Sequence, residues 1–460
     1  MNPSLRCVAA AALALAATLC TPAQAQTPDA ARIKELEAKL ERSLALIEQL
    51  SARIQRIEQA NAPPAATPAV QAEAKVAALE QRITELSDSQ SRRSAEDALP
   101  VHGFADVGLV RSGEDNVSFK GRKGAALGMF DLYLTPQFGD RVRSLIELAF
   151  EAEANGETAA DLERMQIGYT FGDAATVWLG RFHTPFGYWN TAFHHGAQIQ
   201  TAIMRPRFLE FEGEGGVLPA HTTGVWLDGT WATARGRVGY DVFAGNAPQI
   251  NGVSGGSALA AVHPAGFSNA VNSAANAGSG TLNLRQRGSS SHRTSAGFNA
   301  WLEPDAWDGL RLGVHGLRAD VIDDAAASAN RTLLKMFGGY FAYAAEPWEA
   351  LGEYYQFRNQ DKSGGSGTHA SWAAYAQIGY KAGKWTPFAR AERSKLDQAD
   401  NYFGVQESGR SYRRLAAGLR FDVDPKAALK LEMNSTRKQD LGPGAGDDFP
   451  ELHLQYAIRF

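Results

Sequence analysis

The last nine residues constrain this chain most. Leu452, Leu454, Tyr456, Ile458 and Phe460 alternate with His453, Gln455, Ala457 and Arg459. Successive side chains of an extended strand point to opposite faces, so the pattern predicts a strand with one apolar and one polar face. The rhythm recurs upstream. Val142, Ser144, Ile146, Leu148 and Phe150 oppose Arg143, Glu147 and Glu151. Met165, Ile167, Tyr169 and Phe171 oppose Arg164, Gln166 and Thr170. Leu415, Ala417, Leu419 and Phe421 oppose Arg414, Arg420 and Asp422, and Leu429, Leu431 and Met433 oppose Lys430, Glu432 and Asn434. Two folds satisfy this pattern. A soluble sandwich turns the apolar face inward, whereas a membrane barrel turns it to lipid and lines water with the charges. Periodicity alone does not separate them.

The connections do. About sixteen strand candidates begin near residues 101, 124, 141, 162, 175, 221, 236, 293, 309, 332, 348, 370, 385, 411, 427 and 450. Short turns such as Gly139-Asp140, Glu346-Pro347 and Asp424-Pro425 alternate with longer segments such as Ser112–Gly121, Phe182–Ala220 and Asn246–Ser291. That alternation predicts an antiparallel transmembrane barrel over residues 100–460, with short turns on the periplasmic side and long loops outside. An even strand count returns both barrel ends to the periplasm. Trp178, Trp226, Trp231, Trp307, Trp348, Trp372 and Trp385 are expected in interfacial girdles. After residue 25 no run of eighteen apolar residues occurs, so helical spans are not expected.

The first hundred residues read differently. Residues 1–25 run from Arg6 through the apolar Val8–Leu19 to Ala23-Gln24-Ala25, a secretory signal peptide. Cys7 and Cys20 both lie in the removed segment, so disulfide and thiolate chemistry are not expected in the mature chain. A formal net charge of −4 gives no reason to expect nucleic acid as a partner. Residues 26–60 carry Ile33, Leu40, Ile47 and Ile54 at heptad a positions, with Leu36, Ser43, Leu50 and Ile57 at d. Those heptads predict an α-helical coiled coil. Residues 61–70 form a linker broken by Pro63, Pro64 and Pro68. Residues 71–88 resume a/d spacing with Val76, Leu79, Ile83 and Leu86, and residues 89–99 form a second linker. The two helical stretches associate between chains or fold back on each other within one chain.

Signal peptide, envelope coiled coil, barrel and terminal Phe460 together resemble the trimeric outer-membrane porins of Gram-negative bacteria. Among these, the porins with an N-terminal periplasmic coiled coil, the DcaP-like porins, offer the nearest likeness; phosphate-selective porins are a looser one. The resemblance implies a homotrimer in outer-membrane lipid, with the coiled coil in the periplasm and Phe460 read by the barrel-insertion machinery. It implies passive passage of small hydrophilic, charged solutes, with no enzymatic step and no cofactor. It also implies that the third outer loop, here Phe182–Ala220, folds inward and narrows the pore.

That stretch is dense in chemistry yet follows neither strand nor helix period for long. Its candidates for the constriction are Arg181, His183, His194, His195, Arg205, Arg207, Glu210, Glu212 and Glu214. Arg143, Arg164, Glu147, Arg414, Arg420 and Lys430 are expected on the pore wall. Charged groups ringed inside a channel set ion selectivity, because low-dielectric walls focus their field. A metal or catalytic site at His194-His195 is the competing reading. Adjacent histidines in an extended segment point to opposite faces, and no HExxH spacing occurs. The third reading is structural: Tyr188, Trp189 and Phe193 pack the loop down while its charges pair among themselves. The expected function is a passive outer-membrane diffusion channel. The alternative is a structural envelope protein whose coiled coil tethers membrane to cell wall, with the barrel as an anchor.

Overall fold

The structure is a computed structural model that describes residues 101–113, 123–152, 158–193, 196–212, 216–252, 280–283, 293–323, 330–406, 409–438 and 448–460. The expected signal peptide, both coiled-coil stretches and their linkers lie outside the described residues, as do His194, His195 and Glu214.

Among the described residues nineteen strands form one sheet. Sixteen of them build the wall: β1 (Val101–Ser112), β2 (Lys123–Leu134), β4 (Val142–Ala152), β5 (Thr158–Gly172), β6 (Ala175–His183), β7 (His221–Thr233), β8 (Gly236–Asn246), β11 (Thr294–Pro304), β12 (Leu310–Asp323), β13 (Asn330–Ala345), β14 (Trp348–Asp361), β15 (Thr368–Tyr380), β16 (Trp385–Lys395), β17 (Tyr412–Asp424), β18 (Ala427–Lys438) and β19 (Asp448–Arg459). The short β3 (Gln137–Phe138) continues the pairing onto β4, and β9 (Gln249–Gly252) pairs with β10 (Gly280–Asn283) within the connection after β8. Neighbouring wall strands pair antiparallel, and β1 pairs with β19, which closes the sheet on itself. No wall strand begins more than four residues from its expected start.

The wall decides between the two folds that share its periodicity. In β18 the apolar Leu429, Leu431 and Met433 are 39%, 38% and 52% exposed, while Lys430, Glu432 and Asn434 are 1%, 0% and 2% exposed. Met165, Ile167, Tyr169 and Phe171 of β5 are likewise exposed, and Glu147 of β4 is buried. The apolar face therefore points out and the charged face in, the reverse of a soluble sandwich. No helix among the described residues is long and apolar enough to cross a membrane.

Tight turns join the strands at one end. Gly309 (φ 76°) and Gly383 (φ 63°) supply the left-handed backbone that two of these turns require. Both barrel termini lie at that end, where Gly103 and Phe460 exchange backbone hydrogen bonds of 3.2 and 3.0 Å. Two expected girdle residues are corrected. Trp178 and Trp226 alternate with the outward Leu179 and Val225 and donate to Asp228 (2.7 Å) and Asp241 (3.1 Å). An indole N–H with a carboxylate within reach gains a bond on the polar side of the wall that the apolar side does not offer. Trp231, Trp348 and Trp385 do lie exposed near strand ends.

Candidate functional site: the inward-folded third connection

Residues 184–220 join β6 to β7, and the described residues between 186 and 209 lie against the polar face of β14–β18. They are held there by their own backbone. The first anchor is α1 (Trp189–Ala192), a single helical turn after Gly187, whose φ is 64°. The carboxylate of Glu353 accepts from the Tyr188 and Trp189 amides (3.1 and 2.7 Å) and from the Tyr355 and Tyr375 hydroxyls (2.5 Å each). Four donors around one fully buried carboxylate compensate its loss of water.

The second anchor is Glu432, which accepts from the Ile203 and Met204 amides at 2.6 and 3.1 Å. The third is Glu392, which accepts from the Arg207 amide (2.8 Å) and the Tyr412 hydroxyl (3.0 Å) at a 3-10 turn over Arg207–Leu209. Cations of the same wall take the loop carbonyls. Arg390 donates to Met204 O (2.8 Å) and Arg205 O (3.4 Å). Arg420 donates to Gln198 O (2.5 Å) and Gln200 O (2.8 Å), and Lys430 donates to Ala202 O (3.2 Å) and to Ala197 O. Carboxylates thus meet amides and cations meet carbonyls along the length of the loop.

Apolar packing completes the seat. Phe186, Trp189, Phe208 and Leu209 join Tyr355, Tyr375, Phe357 and Phe403 in the interior cluster. The Trp189 ring meets Tyr375 edge-on at 5.8 Å, and Phe208 meets Tyr355 at 5.0 Å. Asn190 donates to Thr184 O and Ala220 O (2.9 and 3.0 Å), pinning the two stems of the loop together. The Tyr402 hydroxyl reaches Val217 O at 2.6 Å from the connection after β16.

The expected constriction residues separate into groups. Arg205 donates to Leu209 O (2.9 Å), sits 3.8 Å from Glu210 and stacks on Phe211 at 3.7 Å. Arg205, Arg207, Glu210 and Glu212 are all buried. Arg181 and His183 belong to a cluster at the loop stem. There His221 bridges Glu163 (2.9 Å) and Glu212 (3.2 Å), Arg181 lies 3.4 Å from Glu163, and the His183 and His221 rings are 5.0 Å apart. Among the described residues no group of three or more His, Cys, Asp and Glu is placed to hold a metal ion.

Of the expected wall charges, Arg164 pairs with Glu147, Arg414 with Glu451 (3.2 Å), and Arg420 and Lys430 hold the loop, while Arg143 is exposed. Sequence reasoning missed Glu353, Arg390 and Glu392. The signal was present: Phe388, Arg390 and Glu392 alternate strictly with Pro387, Ala389 and Ala391. Nothing in that alternation says that the partners of Glu353, Arg390 and Glu392 are backbone groups 164 to 186 residues away.

Between the loop and the wall strands β8 and β11–β15 lies a cavity of about 810 Å³. Tyr188, Phe193, Ile199 and Thr201 line it from the loop, and Arg237, Glu303, Arg311 and Gln377 from the wall. Arg237 and Arg311 both bind Glu303, through Nε at 2.9 and 2.8 Å. They flank the Trp301 ring at 5.5 and 4.1 Å, and Arg311 also lies 5.7 Å from the Tyr188 ring. Asp305, Asp308 and Glu349 line the same cavity, so two arginines stand among four carboxylates.

No protein-family profile and no curated protein sequence matches the chain. Solved structures do. An anion-selective porin from Comamonas acidovorans is 11% identical with a TM-score of 0.51, over 79% of this chain and 99% of its own. The outer-membrane channel DcaP of Acinetobacter baumannii is 11% identical with a TM-score of 0.50, over 78% of this chain and 96% of its own. The resemblance to the DcaP-like porins thus extends from the sequence to the tertiary structure, and the chain has the closed sixteen-stranded barrel fold of these porins.

Proposed function

We propose that the protein is an outer-membrane porin, a passive diffusion channel for small hydrophilic, charged solutes. The observation that carries this reading is the reversed wall: lipid-compatible side chains outside and charges inside a closed sheet. The loop over residues 184–220 is the constriction, since its backbone is bonded to the inner wall instead of extending from the rim. Arg205, Arg207, Glu210 and Glu212 shape and hold the loop. Solute runs past the face that carries Tyr188 and Thr201 and meets Arg311 and Arg237 on the opposite wall. The field there is mixed: two arginines bind Glu303, with Asp305, Asp308 and Glu349 beside them.

Three copies assemble through the periplasmic coiled coil over residues 26–60 and through the barrel wall. Phe460 serves as the insertion signal at the closing strand. Reconstitution in a planar bilayer tests the reading. Conductance steps arriving in threes, with a reversal potential in a salt gradient, are expected. An inserted barrel that stays electrically silent sinks it.

A further inference from the structure

The charges that line the 810 Å³ cavity under the loop differ in how far they are committed. Both of its cations are taken. Arg237 sets Nε and Nη2 on one oxygen of Glu303, at 2.9 and 2.6 Å, and Arg311 sets the same two atoms on the other, at 2.8 and 2.5 Å. With the Trp301 ring between them, the two guanidinium groups are held to the wall on one shared carboxylate.

The other three carboxylates of the lining are not taken. Among the described residues the side chains of Asp305, Asp308 and Glu349 have no hydrogen bond and no ion pair. Asp305 and Asp308 stand exposed on the tight turn between β11 and β12. Glu349 is different. It is the second residue of β14, and it alternates with the outward Trp348, so it shares the inner face with the buried Leu351 and Glu353. Register sets it opposite Gly379 of β15, and its carboxylate lies over that glycine: a Cβ there would come within 2.6 Å of Oε1. Oε1 is itself buried, with no donor to meet it. A carboxylate oxygen taken out of water without a donor is costly, and a donor that arrives with a solute removes that cost.

Two arginines against four carboxylates leave the lining with a formal charge of −2. Aromatic rings complete it, with Tyr188 and Phe193 on the loop and Trp307 on the turn. The face of such a ring attracts a cation and accepts the alkyl part that carries it. An anion entering here meets three carboxylates without counter-charge, and its counter-cations are already bound to Glu303.

We infer that the cavity is a binding station for a small organic cation that carries N–H donors, a primary ammonium or guanidinium compound. Glu349 Oε1 accepts from the cationic nitrogen, Asp305 and Asp308 hold the local potential negative, and the rings pack on the carbon skeleton. The inference rests on the channel reading above and supplies the solute class for it.

The test is planar-bilayer recording of the full-length protein in potassium chloride, with n-butylammonium chloride, tetramethylammonium chloride or sodium butyrate added. Butylammonium is expected to lower the current in a saturable way. Tetramethylammonium has the charge but no N–H, and butyrate has the size but the opposite charge, so both are expected to bind more weakly. Glu349→Gln is expected to weaken the butylammonium block by about tenfold, the loss of a charge-assisted hydrogen bond. If that variant does not insert, the double variant Asp305→Asn, Asp308→Asn is read in its place, with a smaller loss expected. Asp140→Asn removes a turn carboxylate outside the cavity and is expected to leave the block unchanged.

Equal block of wild type and Glu349→Gln by butylammonium overturns the proposal. So does equal binding of butylammonium and tetramethylammonium, or a loss in Asp140→Asn as large as in Glu349→Gln, since either marks diffuse attraction by surface charge. Tighter binding of butyrate overturns it as well, and marks an anion site. The two levels separate in the same recording. Wild-type protein that conducts potassium chloride but shows no saturable response to butylammonium refutes this inference alone, whereas an inserted barrel that does not conduct refutes the porin reading and this one with it.

Discussion

Glu353→Ala is the sharpest perturbation of the loop seat. The carboxylate is buried and accepts from the Tyr188 and Trp189 amides and from two tyrosine hydroxyls. Leaving a buried donor unsatisfied costs roughly 1–3 kcal/mol. The Tyr355 and Tyr375 hydroxyls can rotate toward other acceptors or water, so only the two amides are counted, at roughly 2–6 kcal/mol together. At about 1.4 kcal/mol per tenfold, the population of an undocked Trp189 turn rises roughly 30-fold or more. Glu392, Glu432 and Arg390 still hold residues 203–207, so the release is confined to the first part of the loop. Single-channel recording reads it directly: open-channel noise increases and mean conductance rises, while insertion and oligomer mobility on unheated gels are unchanged. Glu353→Gln keeps a carbonyl acceptor and shows a smaller effect of the same sign. An inserted Glu353→Ala channel as quiet as wild type, at the same conductance, refutes the argument that backbone-directed carboxylates seat this loop.

Other perturbations address other parts of the reading. Leu431→Arg places a charge mid-strand on the outward face of β18, where a soluble protein tolerates it; in a bilayer it costs roughly 2–4 kcal/mol, and urea titration of vesicle-inserted protein should show that loss. Arg311→Gln removes one of the two cations around Glu303 in the cavity wall. Its reversal potential in a salt gradient should move toward cation preference, and an unchanged value removes Arg311 from the solute path. Deleting Phe460 removes the backbone exchange with Gly103 and the stack on Phe130 at 6.0 Å, so the yield of inserted barrel should fall, measured as heat-modifiable protein in the membrane fraction.

The positions of the wall strands were legible because alternation is local. Each strand announces its two faces within a few residues, and connection lengths separated a barrel from a sandwich without any contact being known. The third long connection stood out as a candidate site by its unperiodic, aromatic-rich composition, and the resemblance to porins pointed to the same loop. What residue types could not show was direction.

Arg205, Arg207, Glu210 and Glu212 have the composition of a filter, yet they are buried in the loop's own packing. Arg390, Glu392 and Glu432 look like pore charges on alternating strands, yet they are spent on amides and carbonyls of residues 203–207. Every residue carries a carbonyl, and every residue but proline an amide N–H, so a side chain seeking backbone leaves no complementary residue in the sequence to betray its partner. Trp178 and Trp226 were misplaced for a related reason: an indole reads as apolar until a carboxylate on the next strand claims its N–H.

By itself, then, the sequence determined the class of fold and the positions of the wall strands, because these follow from short-range periodicity and spacing; that the third long connection turns inward was only what the resemblance to porins implied. Tertiary structure alone decided which charges line the cavity and which hold the loop. Those outcomes depend on register and closure, which bring together groups that the chain keeps far apart.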